Sequence, residues 1–153
     1  MWYNIKDLVL EHGRFKVPQK GKRSKHMKNI MVCVTKQKTC QRLIDYGRDL
    51  LEEDADQLFV IHVSGKNDFI LGNTEEGEAL EYLYEKARDA GASLTVEKSD
   101  NVLRTLMDIV KKNQITDVVV GQTGEKLVLD GFLSSFQKKL KGKAKLTVVP
   151  SIS

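Results

Sequence analysis

Short apolar runs alternate with helix-length amphipathic segments along most of this chain. That alternation restricts its fold more than any other feature. Ile30-Met31-Val32-Cys33-Val34 is a continuous apolar run, as a strand buried on both faces requires. Thr39 or a neighbour opens a helix reaching to about Glu53, with Leu43, Ile44, Leu50 and Leu51 on its apolar face. Gln57 to Val63 is a second buried strand, and Ser64 to Asn73 is a loop holding two glycines. Thr74 caps a further helix, with Glu75, Glu76 and Glu78 where the helix dipole favours anions. Leu80, Leu83, Tyr84 and Ala87 make its inner face, and Gly91 ends it. Ser93 to Glu97 is a short strand. Ser99 or Asp100 caps a helix running to Asn113, with Val102, Leu103, Leu106, Ile109 and Val110 inward. Thr116 to Val120 is a β-branched strand ending at Gly121. A helix near Phe132 to Leu140 follows, then a last strand, Ala144 to Val149, terminated by Pro150. Five strands alternating with four helices predict an α/β fold: a three-layer, doubly wound, five-stranded parallel sheet with helices on both faces.

A chain of 153 residues, 41% apolar and 30% charged, has the composition of one globular domain able to bury a core without disulfide or metal staples. No run approaches the ~20 apolar residues of a membrane-spanning helix. Met1 to Leu10 carries Asn4, Lys6 and Asp7 among its apolar residues. It does not read as a signal peptide, and the expected location is the cytoplasm.

The net charge of +4 is unevenly held. Residues 1–28 contain Lys6, Arg14, Lys16, Lys20, Lys22, Arg23, Lys25 and Lys28 against Asp7 and Glu11, which makes that segment +6 and leaves the rest at −2. Trp2, Ile5, Leu8 and Val9 have helical spacing up to Gly13, and Arg14 to Lys28 reads as a linker or arm. The expected organisation is therefore a basic N-terminal arm with a short helix (1–28) followed by a domain (29–150). Three readings of the arm stand open: a solvated tail, a contact with an anionic membrane or nucleic acid, or a docking segment for a protein. Trp2, Tyr3 and Phe15 favour a partner with an apolar surface. Cys33 and Cys40 fit neither a CxxC pair nor zinc spacing and read as buried thiols.

In a doubly wound sheet, ligands bind beyond the carboxyl ends of the strands. The relevant ends here are Val34-Thr35-Lys36, His62-Val63-Ser64 and Val120-Gly121-Gln122. The last continues through Thr123 to Gly124, with Ser134 and Ser135 just inside a helix. Two glycines three apart allow close backbone approach, and serines at a helix start add hydroxyls to unpaired amides. In outline this is a phosphate site. A tight turn with an ordinary Ser cap accounts for the same residues.

Four segments carry a resemblance that covers residues 29–150. They are Lys28 to Val34, Phe59-Val60-Ile61-His62-Val63, Ile115 to Gly121, and Leu146-Thr147-Val148-Val149-Pro150. Together they resemble a universal stress protein domain. In detail they are most similar to the stress-protein domains of potassium-responsive sensor kinases, although this chain has no room for a kinase. The resemblance implies a Rossmann-like, adenine-nucleotide alpha-hydrolase-like sheet of strand order 3-2-1-4-5. It also implies ATP or a related adenine nucleotide, with or without Mg, as ligand. The ATP-binding pattern of Gly, two residues, Gly, nine residues, Gly and Ser/Thr falls on Gly121, Gly124, Ser134 and Ser135. Ser134 replaces the third glycine, and Thr35 stands where that branch carries Asp. By resemblance the nucleotide would contact Cys33, Val34, Thr35, Val63, Val120, Gly121, Gln122, Thr123, Gly124, Ser134, Ser135 and Phe136. Lys36 and Lys38 would favour a phosphorylated or dinucleotide ligand.

His62, alone in an apolar strand, reads as a hydrogen-bonded structural residue. No metal-ligand spacing and no nucleophile–base set emerge, so no enzyme is expected beyond slow, incidental ATP hydrolysis. Leu146 to Val149 would be an apolar sheet edge. By resemblance it pairs with its symmetry mate in a homodimer. The resulting expectation is a small nucleotide-binding regulatory protein with a protein partner of unknown identity. Nucleic acid is not an expected partner of the domain. The alternative is a dimeric interaction module of the same fold that binds no nucleotide and acts through its arm and dimer surface.

Overall fold

Ile30, Met31 and Val32 have no solvent exposure, and a strand with nothing in water must be paired on both edges and covered on both faces. The structure, a computed structural model, describes residues 9–11, 14–16, 27–122 and 131–150. Its elements are β1 (Val9–Glu11), β2 (Arg14–Lys16), β3 (Asn29–Cys33), α1 (Gln37–Asp49), β4 (Gln57–Gly65), α2 (Glu76–Asp89), β5 (Ser93–Ser99), α3 (Val102–Lys112), β6 (Asp117–Gly121), α4 (Leu133–Leu140) and β7 (Lys145–Val149). Strands β3 to β7 form one parallel sheet in the order β5-β4-β3-β6-β7. Counted along the chain from β3, that is the expected order 3-2-1-4-5.

The sheet grows from β3 one way through β4 to β5, then returns to β6 and β7 on the other side. Right-handed crossovers therefore put α1 and α2 on one face and α3 and α4 on the other. Two cores follow from strand alternation. Ile30, Val32, Val34, Leu58, Val60 and Val119 pack with Cys40, Leu43 and Ile44 of α1 and with Ala79, Leu83 and Ala87 of α2. Met31, Cys33, Ile61, Val118 and Val120 pack with Leu106, Met107, Ile109 and Val110 of α3 and with Leu133, Phe136 and Leu140 of α4. Helix α1 lies closest to the sheet at Gly47, where a Cβ would collide with Val32 Cγ2 and meet Leu58 Cδ1 at 3.2 Å. No described helix is long and apolar enough to cross a membrane.

Both ends of β3 are tied by buried polar groups. At its start, Asp56 (4% exposed) accepts the Lys28 N–H at 2.9 Å and the Glu52 and Glu53 N–H groups at 2.9 and 3.0 Å. The Asn29 N–H donates to Thr116 Oγ1 at 3.0 Å. At its finish, His62 lies 2.8 Å through Nδ1 from the Val34 carbonyl, while the Leu71 N–H donates to His62 Nε2 at 3.0 Å. Because the Leu71 amide must donate, Nε2 is the bare nitrogen and Nδ1 carries the proton. The imidazole thus also holds Leu71 at a positive φ of 56°, uncommon for a leucine.

Several expectations are corrected. Val9–Glu11 and Arg14–Lys16 are an antiparallel pair, not a helix end and a linker. Their register is Val9↔Lys16, Leu10↔Phe15 and Glu11↔Arg14. The rest of the expected helix, residues 2–8, lies outside the described residues. Leu80 and Tyr84 are exposed, because α2 is phased by Ala79, Leu83 and Ala87. Asn101 caps α3, its Oδ1 accepting the Arg104 N–H. Neither α1 nor α2 has a side-chain cap. Thr39 sits inside α1 and donates to the Lys36 carbonyl, and Glu75, not Thr74, precedes α2.

Two stability predictions follow from the anchors. Burial works against the Asp56 charge, yet its three backbone donors and Lys28 hold the carboxyl below its ordinary value. Asp56→Ala is expected to cost about 3 kcal/mol at neutral pH, since three N–H groups lose their acceptor. The unfolded carboxyl titrates near 3.8 and the folded one lower. The difference from wild type should therefore shrink as pH falls below 3.8. Urea unfolding across pH 2.5–7 measures both effects, and a pH-independent difference would exclude this anchoring role. For His62, burial lowers the pKa below 6.5 against the opposing pull of the Val34 carbonyl. The unfolded chain then takes a proton that the folded one refuses, so stability falls as pH drops below 6.5. His62→Gln should flatten that slope. Equal slopes in the two proteins would show that the imidazole is not held neutral.

Candidate functional site

The sheet reverses direction between β3 and β6, and a crevice opens above such a reversal because the following segments leave toward opposite faces. Cys33 is level with Ile61 of β4 and Val120 of β6. The Val34 N–H still donates to the Ile61 carbonyl at 2.9 Å, and Thr35, Val63 and Gln122 each follow two residues beyond these paired positions. The three strand ends singled out in the sequence are therefore neighbours, with the β3–α1 turn on one side and the approach to α4 on the other.

The expected contact residues divide by what their side chains already do. Cys33, Val120 and Phe136 belong to the core under α3 and α4, and Val34 to the core under α1 and α2. All four are buried, so only their backbone is available to a ligand. Val63 is half-buried against the α3–α4 core and offers an apolar edge. Thr35 is exposed at the end of β3. Gln122 is half-buried, and its N–H donates to the Val149 carbonyl at 2.8 Å, so that amide is held by β7. Gly121 has a packing reason of its own, because a Cβ there would sit 3.1 Å from Leu43 Cδ1. Thr123 and Gly124 lie outside the described residues. Ser134 and Ser135 are exposed in the first turn of α4. Phe132 precedes them without a side-chain cap and stacks at a tilt on Phe136, ring centroids 5.9 Å apart.

The charge at this end fits an anion. Neither α1 nor α4 has an acidic residue in its first turn. Lys36 stands at the N-cap of α1, with Lys38 exposed behind it. Arg42, which the motif did not point to, reaches the far end of β7, where Nη1 donates to the Pro150 carbonyl at 2.6 Å. Its place one turn into the helix after β3 was the available signal. The start of α1, the cations Lys36 and Lys38 and the exposed hydroxyls of Ser134 and Ser135 lie toward this end of the sheet, a setting that suits phosphate or carboxylate groups.

The remaining reactive groups are set apart from this chemistry. Burial pushes the Cys33 and Cys40 thiols up to about 12, and they lie in different cores on opposite faces of the sheet, so they neither react as thiolates nor pair. Among the described residues no group of His, Cys, Asp and Glu could hold a metal ion. A groove of about 370 Å³ on α3 and α4, lined by Leu103, Arg104, Met107, Lys111 and Lys139 among others, shares no residue with the crevice.

Solved structures share this fold, and two of them are these. A universal stress protein in complex with cAMP superposes with a TM-score of 0.52 at 15% identity, covering 81% of this chain and 98% of its own. A protein once called hypothetical, whose biochemical function was assigned from its structure, gives 0.51 at 16% identity, covering 84% and 99%. No curated protein sequence is similar enough to count as a relative. The model of the universal stress protein family matches residues 26–149, all five strands of the parallel sheet included. The match is to the family as a whole and not to its sensor-kinase members in particular. The chain belongs to the universal stress protein family.

Proposed function

We propose that the chain is a small regulatory protein that binds an adenine nucleotide of the ATP or AMP type across the ends of β3, β4 and β6. The observation that carries this reading is that, among the described residues, neither α1 nor α4 has an acid in its first turn, while Thr35 and Lys36 at the end of β3 and Ser134 and Ser135 of α4 are exposed. A structural neighbour crystallised with cAMP supports it. The base would lie against Thr35 and Val63, the ribose near Gln122 or Thr123. The phosphates would lie against Gly121, Gly124 and the α4 start, where Ser135 donates its hydroxyl and amide. Magnesium, when present, would arrive on the phosphates. The role is regulatory and not catalytic, and the expected location is the cytoplasm.

The protein is also proposed to form a homodimer through β7. That strand is one of the two edges of the sheet, unpaired on its outer side among the described residues, and Val148 is exposed on it. An unpaired apolar edge is a liability that pairing removes. Val148→Lys is expected to shift sedimentation from dimer to monomer while circular dichroism stays unchanged. A wild type already monomeric at micromolar concentration would refute the dimer.

A second reading, the dimeric interaction module without a nucleotide, has two observations in its favour. Leu43 accounts for Gly121, and β7 already holds the Gln122 amide. Denaturing the purified protein and chromatographing the supernatant separates the readings. Released adenine nucleotide supports the first. An empty supernatant, with no thermal shift at millimolar ATP, AMP or cAMP, supports the second. Gly124→Val should weaken nucleotide binding at least about tenfold, a difference of about 1.4 kcal/mol, with an unchanged melting temperature. Unchanged affinity would put the phosphates elsewhere.

A further inference from the structure

Helix α2 carries two apolar stripes where its packing needs one. Ala79, Leu83 and Ala87 face the sheet, while Leu80 and Tyr84, one turn apart, are 42% and 58% exposed. Arg88 lies over the Tyr84 ring, 5.7 Å from its centroid, and leaves the rest of the stripe open. Along the adjoining flank run Glu78, Glu81 and Glu85, all exposed, with no ion pair among the described residues. Over its length α2 holds five acidic side chains against Lys86 and Arg88. Two of the five are engaged, Glu76 with Lys98 at 2.7 Å and Asp89 with Arg88 at 3.2 Å. The result is an apolar strip beside a row of free carboxylates, on a chain whose net charge is +4.

From charge complementarity, chain length and the point of attachment, we infer that this face of α2 docks the chain's own basic segment, residues 1–26. That segment bears Lys6, Arg14, Lys16, Lys20, Lys22, Arg23 and Lys25 against Asp7 and Glu11, together with Trp2, Tyr3, Ile5 and Leu8. It supplies both complements: cations for Glu78, Glu81 and Glu85, and aromatic and aliphatic groups for Leu80 and Tyr84. Attachment permits the contact within one molecule. The segment joins β3 at the end of the sheet where its parallel strands start, which is also where α2 finishes and β5 begins. β5 is two strands from β3, a displacement of about 10 Å, with the helix layer about 10 Å above the sheet. Residues 17–28 span up to ~40 Å when extended, which leaves residues 1–16 free to lie along α2. The contact is independent of whether the crevice binds nucleotide.

Trp2 is the only tryptophan in the chain, so its fluorescence reports this contact in the full-length protein. Docked, it should emit to the blue of a free peptide of residues 1–28 and resist acrylamide quenching. Two variants remove one complement each: Leu80→Ser with Tyr84→Ser, and Glu78→Lys with Glu81→Lys and Glu85→Lys. Each alters only exposed side chains, and far-UV circular dichroism checks that each folds. Both variants should move Trp2 emission and quenching to the values of the free peptide. Raising salt to 0.5 M should weaken the wild-type contact, since surface charges are screened over about 3–10 Å at such concentrations. Wild-type fluorescence already equal to that of the peptide would overturn the inference. So would protection that survives both variants, and so would protection that disappears on dilution, which would assign the contact to a second copy.

Discussion

β3 is held at both ends by side chains from other segments, and the positions of the neighbouring strands and turns depend on those ties. Its first residues bond to Asp56 and Thr116, which precede β4 and β6. The Val34 carbonyl just past its end bonds to His62 of β4. A parallel strand exposes no backbone edge to water when both neighbours are present, so its buried N–H and C=O groups must all find partners in the sheet. Once β3 is fixed at both ends, the register of β4 and β6 against it is fixed too. That register sets Cys33 level with Ile61 and Val120, so the three strands end side by side. The crevice is thus a consequence of how the central strand is pinned.

The same ties connect the sheet to its loops. His62 accepts from Leu71 on the nitrogen opposite the one facing Val34, so one neutral ring joins the end of β3 to the turn before α2. Glu76 at the start of α2 accepts the Ile70 N–H at 3.0 Å and the Lys98 ammonium of β5 at 2.7 Å. The turn between β4 and α2 is therefore clamped from the sheet and from the helix. This clamp places α2, and with it the Leu80–Tyr84 strip, on the outside of the molecule.

Much of the architecture was legible in the sequence because it rests on periodicity. Continuous runs such as Ile30 to Val34 and Leu58 to Val63 have no reading other than buried strands once helices separate them. The misreadings arise where local pattern and tertiary contact compete. In α2, Leu80 and Tyr84 outrank Ala79 and Ala87 in apolarity, yet small residues let the helix approach the sheet, so the alanines face inward. Val9 to Glu11 satisfies a helical spacing and a strand equally well over three residues, and the partner strand decides. Asp56 carries no sequence signal of its role, because one of the three amides it accepts is that of residue 28, which no local pattern brings to it. For the site, the three strand ends were legible from the order of elements. Arg42 was not, because its reach to Pro150 depends on the position of β7.

Gly121 illustrates how much of a phosphate-type motif is set by the scaffold. Leu43 of α1 lies directly against it, and the next amide, Gln122, is hydrogen-bonded to β7. The glycine at 121 and the backbone position of residue 122 would be kept in a domain of this fold with or without a ligand. The side-chain groups the described fold does not use are the Thr35 hydroxyl, the Lys36 ammonium, and the hydroxyls of Ser134 and Ser135. Thr35 and Lys36 belong to the β3–α1 turn, Ser134 and Ser135 to the first turn of α4. On the proposed reading, a ligand engaging both sets would turn a polar, flat-sided portion toward Thr35 and Val63 and an anionic group toward α4, which is how a nucleoside phosphate is built.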